Sequence, residues 1–199
     1  MNVYVAGEGP HEIGKWAENP ERRGSSKRGD GVLAALFRKV HLDEIQVIDG
    51  KKWSLAPKYR AGAHATADQR CLRQLAHLAE EAGAEVFLWS RDLDKIERRE
   101  DELLTELGAL REKYADDLFV VGGVAVRCLE AWIAGLAQLH VRPEELAVSR
   151  AAALVAENEL DSESRMVSLI RDGALDVSRT PSLHAWLELA RAVPRDAPL

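Results

Sequence analysis

Three acidic residues stand where the chain leaves segments that are typical of buried strands. Glu8 follows the apolar segment 2–6, and Asp92 and Asp94 follow the apolar segment 85–90. Carboxylates brought together repel one another and favour protonation unless a cation neutralises them. Mg²⁺ is the natural cation, because it is a hard ion that prefers oxygen ligands and keeps several waters. These residues predict an Mg²⁺ site, with Mn²⁺ as a substitute, that orients a phosphate and activates a water molecule.

Short apolar segments alternate with helical patterns along the chain, and this order predicts how the acids are positioned. The predicted strands are 2–6, 45–48, 85–90 and 118–121. Strands that alternate with helices imply right-handed crossovers and a mainly parallel sheet. We therefore expect an α/β fold with a mainly parallel four-stranded sheet flanked by helices and followed by a C-terminal helical extension. In such sheets ligands bind outside the carboxyl ends of the strands, which is where the acids fall.

Composition limits the class of protein. The chain has 199 residues, 46% of them hydrophobic, which suits one globular domain with a small appendage. The sequence has no apolar run of about 18 residues and so predicts no membrane span, and its first residues lack a signal-peptide pattern. We expect a cytoplasmic protein with no membrane partner, in which Cys71 and Cys128 are reduced thiols. The six histidines show no zinc-type spacing with these cysteines.

The charge is uneven. The net charge of −6 argues against a protein coated in basic surface, yet residues 15–60 hold 11 Lys and Arg against six Asp and Glu. Two polar loops, 17–31 and 50–65, carry most of these cations, and the second also holds Trp53 and Tyr59. Lys and Arg contact phosphates and aromatic rings stack on bases, so we expect a nucleic-acid-binding edge. As the partner we expect DNA in preference to RNA, although nothing in these loops distinguishes the two. Its predicted contacts are Arg22, Arg23, Lys27, Arg28, Lys51, Lys52, Lys58 and Arg60.

Three segments of the chain resemble a known family. Gly7-Glu8-Gly9-Pro10-His11-Glu12 after the first strand and Asp92-Leu93-Asp94 after a later strand resemble the pattern of Toprim domains, which occur in topoisomerases, DnaG-type primases and OLD-family nucleases. The segment 127–133, with its Glu-Ala-Trp box, is similar to the small stand-alone Toprim proteins grouped as DUF4276. The resemblance covers roughly residues 1–135.

The resemblance implies roles for single residues. Glu8 would be a metal ligand or a general acid/base, Asp92 and Asp94 would hold Mg²⁺, and Glu130 would be a fourth acid at the site. Arg91 departs from the pattern, because such strands often run apolar up to the acid. It would either neutralise part of the site or contact phosphate.

The resemblance also implies an activity and a setting. Residues 1–140 would form a Toprim-like catalytic domain and 141–199 a helical C-terminal extension packed on it. The chain would be an Mg²⁺-dependent nuclease that cleaves phosphodiester bonds, in a phage-defence or mobile-element system with an ATPase partner protein, and it could form a homo-oligomer.

Each assignment has a structural alternative. Glu8 could be an exposed turn residue, Asp92 and Asp94 could cap the long helix after them, and Glu130 could be a solvated helix residue. The whole chain could then be a non-catalytic scaffold or regulatory subunit whose C-terminal helices dock a protein. A third option is a phosphatase or nucleotidyl transferase that acts on a small substrate. His11 and His64 are weaker candidates for proton carriers.

Overall fold

The computed structural model describes residues 1–17, 29–41, 45–57, 65–93, 96, 98–115 and 117–194. Its sheet has four parallel strands: β1 (Asn2–Gly7), β2 (Gln46–Lys52), β3 (Val86–Asp92) and β4 (Phe119–Ala125). Their spatial order is β2-β1-β3-β4. The predicted parallel α/β fold is therefore confirmed.

Eight α-helices surround the sheet in the described part of the chain. They are α1 (Pro10–Ile13), α2 (Val32–His41), α3 (Ala67–Glu81), α4 (Arg98–Tyr114), α5 (Leu129–Leu136), α6 (Val148–Glu157), α7 (Glu163–Asp172) and α8 (Pro181–Arg191). Short 3-10 turns lie at Gly14–Ala17, Trp53–Leu55 and Pro143–Glu145. Among the described helices, none has the length and apolar character needed to cross a bilayer.

The two faces of the sheet carry separate hydrophobic clusters, as the alternation of side chains along a strand requires. Val3 and Val5 point to the face covered by α2, α5, α7 and α8, whereas Tyr4 and Ala6 point to the face covered by α3 and α4. Because both faces are covered, the strands are nearly continuous runs of apolar residues. The middle of β3 is buried throughout.

The strands are longer than the sequence pattern predicted. Because β1 pairs with β2 as far as Gly7 opposite Lys52, Lys51 and Lys52 lie in the end of β2 and not in the predicted loop 50–65. In the same way β3 extends to Asp92 instead of ending at Ser90.

Gly122 and Gly123 lie inside β4, beyond residue 121 at which the sequence pattern predicted the strand to end. A Cβ atom on Gly122 would lie 2.1 Å from Nε1 of Trp89, so this residue leaves room for the indole ring. The absence of a side chain therefore serves packing against β3 and does not end the strand.

The C-terminal helices share a core with the sheet. Leu183, Trp186 and Leu187 of α8 are buried in the same cluster as Val3 and Val5. The Trp186 indole donates a hydrogen bond from Nε1 to the carbonyl oxygen of Trp89 at 3.0 Å, which ties α8 to β3. The described residues after position 140 thus help to bury the sheet.

Replacing Trp186 by Ala should destabilise the protein by about 3–5 kcal/mol, because it removes a large buried ring and leaves a cavity under the sheet. The free energy of unfolding from urea titration measures this loss. Val141→Ala is the control, since Val141 is 71% exposed and its truncation should change stability by less than about 0.5 kcal/mol. A similar loss in both variants would show that α8 does not support the core.

Candidate functional site

Glu8 is placed by the end of β1. The register pairs Ala6 of β1 with Trp89 of β3, so Glu8 emerges beside the last residues of β3. A Cβ atom on Gly7 would lie 2.5 Å from Cβ of Glu12, so only glycine lets α1 fold back so tightly on the strand end. Oε1 of Glu8 accepts a hydrogen bond from the backbone N–H of Asp92 at 3.2 Å. Two acids 84 residues apart in sequence therefore meet at the carboxyl edge of the sheet.

Arg91 neutralises Glu8. Its Nη1 lies 2.5 Å from Oε1 of Glu8, and its Nη2 lies 3.5 Å from Oδ1 of Asp68. The guanidinium carbon lies 5.3 Å from the ring centroid of Trp53, within the range of a cation–π contact. Nε of Arg91 is buried and has no hydrogen-bond partner among the described residues.

A second arginine supports the end of β3. Nε of Arg99 donates to Oδ2 of Asp68 at 2.8 Å, and its Nη1 donates to the carbonyl oxygen of Asp92 at 2.6 Å. Arg99 is only 5% exposed, so its charge depends on these oxygens. Sequence reasoning missed both Asp68 and Arg99. Each lies in the first turn of a charged helix, where such residues are common, so no signal in the pattern distinguished them.

Asp92 connects the end of β3 to the start of α5. Its Oδ1 accepts a hydrogen bond from the backbone N–H of Leu129 at 3.1 Å, whereas the side chain of Cys128, at the cap position of this helix, makes no such bond. Asp92 therefore caps α5. The first turn of α5 also carries Glu130, whose Oε1 lies 3.8 Å from Nδ1 of His11.

Burial and electrostatic interactions shift the pKa values of several groups at this edge. Burial raises the pKa of Glu12, which is 6% exposed, and the charges of Glu8 and Glu130 raise it further. The pairing with His11 lowers the pKa of Glu130, and the same pairing raises the pKa of His11. The structure thus brings Glu8, Glu12, Asp92 and Glu130 to one edge, and sequence reasoning gave Glu12 no role there.

The two thiols are held in their protonated form. Burial raises the pKa of Cys128 to about 12, with the nearby charges of Glu130 and Asp92 acting in the same direction. Burial likewise raises the pKa of Cys71 to about 12, although Arg91 opposes the shift. Both cysteines are free, and neither has the lowered pKa of a nucleophilic thiol.

The donor set at this edge consists of carboxylate oxygens, which suit Mg²⁺ better than a softer metal. Within the described residues, no three His, Cys, Asp or Glu side chains lie close enough to hold one ion. Mg²⁺ is commonly held by one or two carboxylates together with waters and substrate phosphates, and Glu8 and Asp92 fit a site of that kind. Asp94, the other predicted ligand, lies outside the described residues.

The predicted nucleic-acid contacts are only partly described. Lys51 and Lys52 lie at the carboxyl end of β2, next to Gly7 in the sheet, and so beside Glu8. The other predicted contacts lie outside the described residues: Arg22, Arg23, Lys27, Arg28, Lys58 and Arg60. The two described lysines therefore lie on the strand next to the carboxylates, with their side chains on opposite faces of the sheet.

Comparison with family models, with curated proteins and with solved structures finds no match to this chain. The Toprim assignment therefore stays a prediction from the motifs at residues 7–12, 92–94 and 127–133.

Glu12→Gln should make the stability of the protein less dependent on pH. In the folded state Glu12 stays protonated at pH values above the ordinary carboxyl pKa of 4.5. The wild type therefore loses stability as the pH rises from that value through the raised pKa. Glutamine cannot ionise, and it can still accept the bond that Gly9 N–H donates to Oε2 of Glu12 at 2.9 Å. The variant should melt at a higher temperature than the wild type at pH 7 and at nearly the same temperature at pH 4.

Calorimetry at the two pH values measures the difference, and for a chain of this size each kcal/mol gained raises Tm by about 2–4 °C. The exposed Glu112→Gln provides the control and should change Tm little at either pH. A Glu12→Gln variant that is less stable at pH 7 would contradict the conclusion that ionisation of this residue is costly.

Proposed function

We propose that this chain is an Mg²⁺-dependent nuclease that cleaves phosphodiester bonds, with its site at the carboxyl edge of the sheet. The observation that carries the proposal is the contact of Glu8 with the end of β3, where its Oε1 lies 3.2 Å from the N–H of Asp92. Glu130 enters the same edge on α5, which Asp92 caps. Acids from three separate parts of the chain thus reach the same edge, where a bound cation would offset their negative charge.

The residues at this edge would have different roles, according to their chemistry. Glu8 and Asp92 would hold the ion, together with Asp94 if it follows the motif, and Glu130 would stand at the edge of the site. Bound Mg²⁺ supplies charge that orients the phosphate and lowers the pKa of a water molecule. Glu8, 30% exposed, can also take the proton of the attacking water. Lys51 and Lys52 would attract the nucleic-acid backbone to this edge.

The setting is proposed from the motifs alone. We propose that the chain acts in the cytoplasm, on DNA in preference to RNA, beside an ATPase partner in a phage-defence or mobile-element system. Self-association into a homo-oligomer belongs to the same proposal.

A second candidate is a non-catalytic scaffold or regulatory subunit. The observation that favours it is the pairing of Arg91 with Glu8, which already supplies a positive charge where a metal ion would act. In that case neither metal binding nor cleavage should be found, and partner binding would fall to the C-terminal helices.

Metal-dependent stabilisation separates the two candidates. If Mg²⁺ or Mn²⁺ binds the folded state only, a metal concentration of about 100 times Kd adds about 2.7 kcal/mol of stability and raises Tm by about 5–10 °C. The double variant Glu8→Gln with Asp92→Asn should lose this gain. Asp117→Asn is the matched control, because this exposed acid lies just before β4, at the opposite edge of the sheet. No response of wild-type Tm to either metal would favour the scaffold.

Cleavage is the direct test of the nuclease. Wild-type protein with Mg²⁺ or Mn²⁺ should cut at least one of plasmid DNA, single-stranded DNA and RNA, and chelation of the metal should stop it. Glu8→Gln should slow cleavage by at least about 100-fold, the usual scale for losing a ligand or a general base. Asp117→Asn should cleave at the wild-type rate. Full activity of Glu8→Gln would rule out the assigned role of Glu8.

Lys52→Ala should weaken nucleic-acid binding by a similar factor for every sequence, because a phosphate contact carries no base information. The slope of log affinity against log salt should fall by about one. Fluorescence anisotropy with labelled oligonucleotides in EDTA measures both. Lys113→Ala is the control, because it removes one positive charge, as Lys52→Ala does, but at the far end of α4. It should leave the affinity and the salt slope unchanged. Equal losses in the two variants would indicate a general charge effect.

A further inference from the structure

Arg91 is bound to Glu8 and also borders an open cleft. The cleft has a volume of about 360 Å³ and lies between the 3-10 turn Trp53–Leu55 and the start of α3. Its lining combines apolar groups, such as Pro57 and Ala67, with the charged Asp68 and Arg91. Arg91 thus stands between this cleft on one side and the carboxylate edge on the other.

The guanidinium of Arg91 is incompletely satisfied where it stands. Nη1 and Nη2 face Glu8 and Asp68, but Nε is buried without a partner among the described residues. A buried donor left without an acceptor costs free energy, and a phosphate offers several acceptor oxygens to one guanidinium. A substrate phosphate at this position would therefore improve the bonding of Arg91.

Release of Glu8 by Arg91 would leave Asp68 with a cation. Arg99 donates to Oδ2 of Asp68 at 2.8 Å, so Asp68 keeps an ion pair when Arg91 moves. The Trp53 ring, 5.3 Å from the guanidinium carbon, offers the displaced side chain a second favourable contact. Glu8, in contrast, would keep only the Asp92 N–H as a described partner and would need another cation.

We propose that Arg91 exchanges Glu8 for a phosphate of the substrate, so that substrate and metal ion bind this edge cooperatively. This inference rests on the proposed nuclease function and adds its regulation. Without a phosphodiester ligand, Arg91 holds Glu8 and lowers the affinity of the edge for Mg²⁺ or Mn²⁺. With the ligand bound, Arg91 contacts phosphate and Glu8 becomes available to the metal. Because linkage is reciprocal, the metal must raise the affinity for the ligand by the same factor.

The experiment measures Mn²⁺ affinity by the electron paramagnetic resonance signal of free Mn²⁺, with and without an uncleavable phosphorothioate oligonucleotide. Wild-type affinity should rise about 10-fold with the oligonucleotide. Arg91→Met should bind Mn²⁺ at least several-fold more tightly than the wild type when no oligonucleotide is present, and the oligonucleotide should add little. Arg111→Met, an exposed arginine near the far end of α4, should behave like the wild type.

Arg91→Lys is a second variant that keeps the test valid if Arg91→Met does not fold. Lysine keeps the positive charge but cannot bind two acids at once through a planar fork, so its Mn²⁺ affinity without oligonucleotide should lie between those of wild type and Arg91→Met. Thermal unfolding in EDTA establishes that each variant is folded.

The outcomes separate the two proposals. Mn²⁺ binding and Mg²⁺-dependent cleavage without any effect of the oligonucleotide on Mn²⁺ affinity would overturn the exchange and leave the nuclease intact. Equal Mn²⁺ affinity of wild type and a folded Arg91→Lys would also overturn it. Absence of Mn²⁺ binding in every variant and condition would overturn both proposals. Binding by Arg91→Met but not by the unliganded wild type would support the exchange.

Discussion

The parallel pairing of β1 with β3 is the constraint on which the candidate site depends. These two strands are central in the sheet, and their register brings Glu8 to the backbone of Asp92 although 84 residues separate them in sequence. A slip of one residue would turn Glu8 toward the opposite face, because successive side chains alternate. The apolar residues of β1 and β3 that fill the two clusters hold this register, so the core of the protein fixes the position of the acids.

Opposite charges at the edge are closely balanced. Glu8, Glu12, Asp92 and Glu130 supply negative charge, while Arg91 and the flanking lysines supply positive charge. Burial raises the pKa of Glu12 and the nearby carboxylates of Glu8 and Glu130 raise it further, while the pairing of Arg91 with Glu8 offsets negative charge locally. An edge with these opposing groups can respond strongly to an added cation or anion, since either one changes which pairs are best satisfied.

Sequence patterns were sufficient for the architecture and for the location of most acids. The apolar strands and their alternation with helices predicted the parallel sheet, and the placement of Glu8 and Asp92 at strand ends followed from it. The pattern could not predict that Asp92 caps α5, because that bond depends on how β3 and β4 are arranged in space. Nor could it reveal Arg99 and Asp68, whose roles arise from burial and from contacts between helices that start at the same edge. The length of β2 was missed because pairing with β1 continues through polar residues.

The bond between Trp186 and the Trp89 carbonyl has a consequence for the order of folding. It joins residues 97 apart, and the ring of Trp186 fills the core beneath strands made much earlier during synthesis. Contacts so distant in sequence slow folding, because a long loop must close before they form. Until α8 has left the ribosome, the part of this face that α8 covers stays exposed and open to aggregation, so a chaperone has most to protect during that interval.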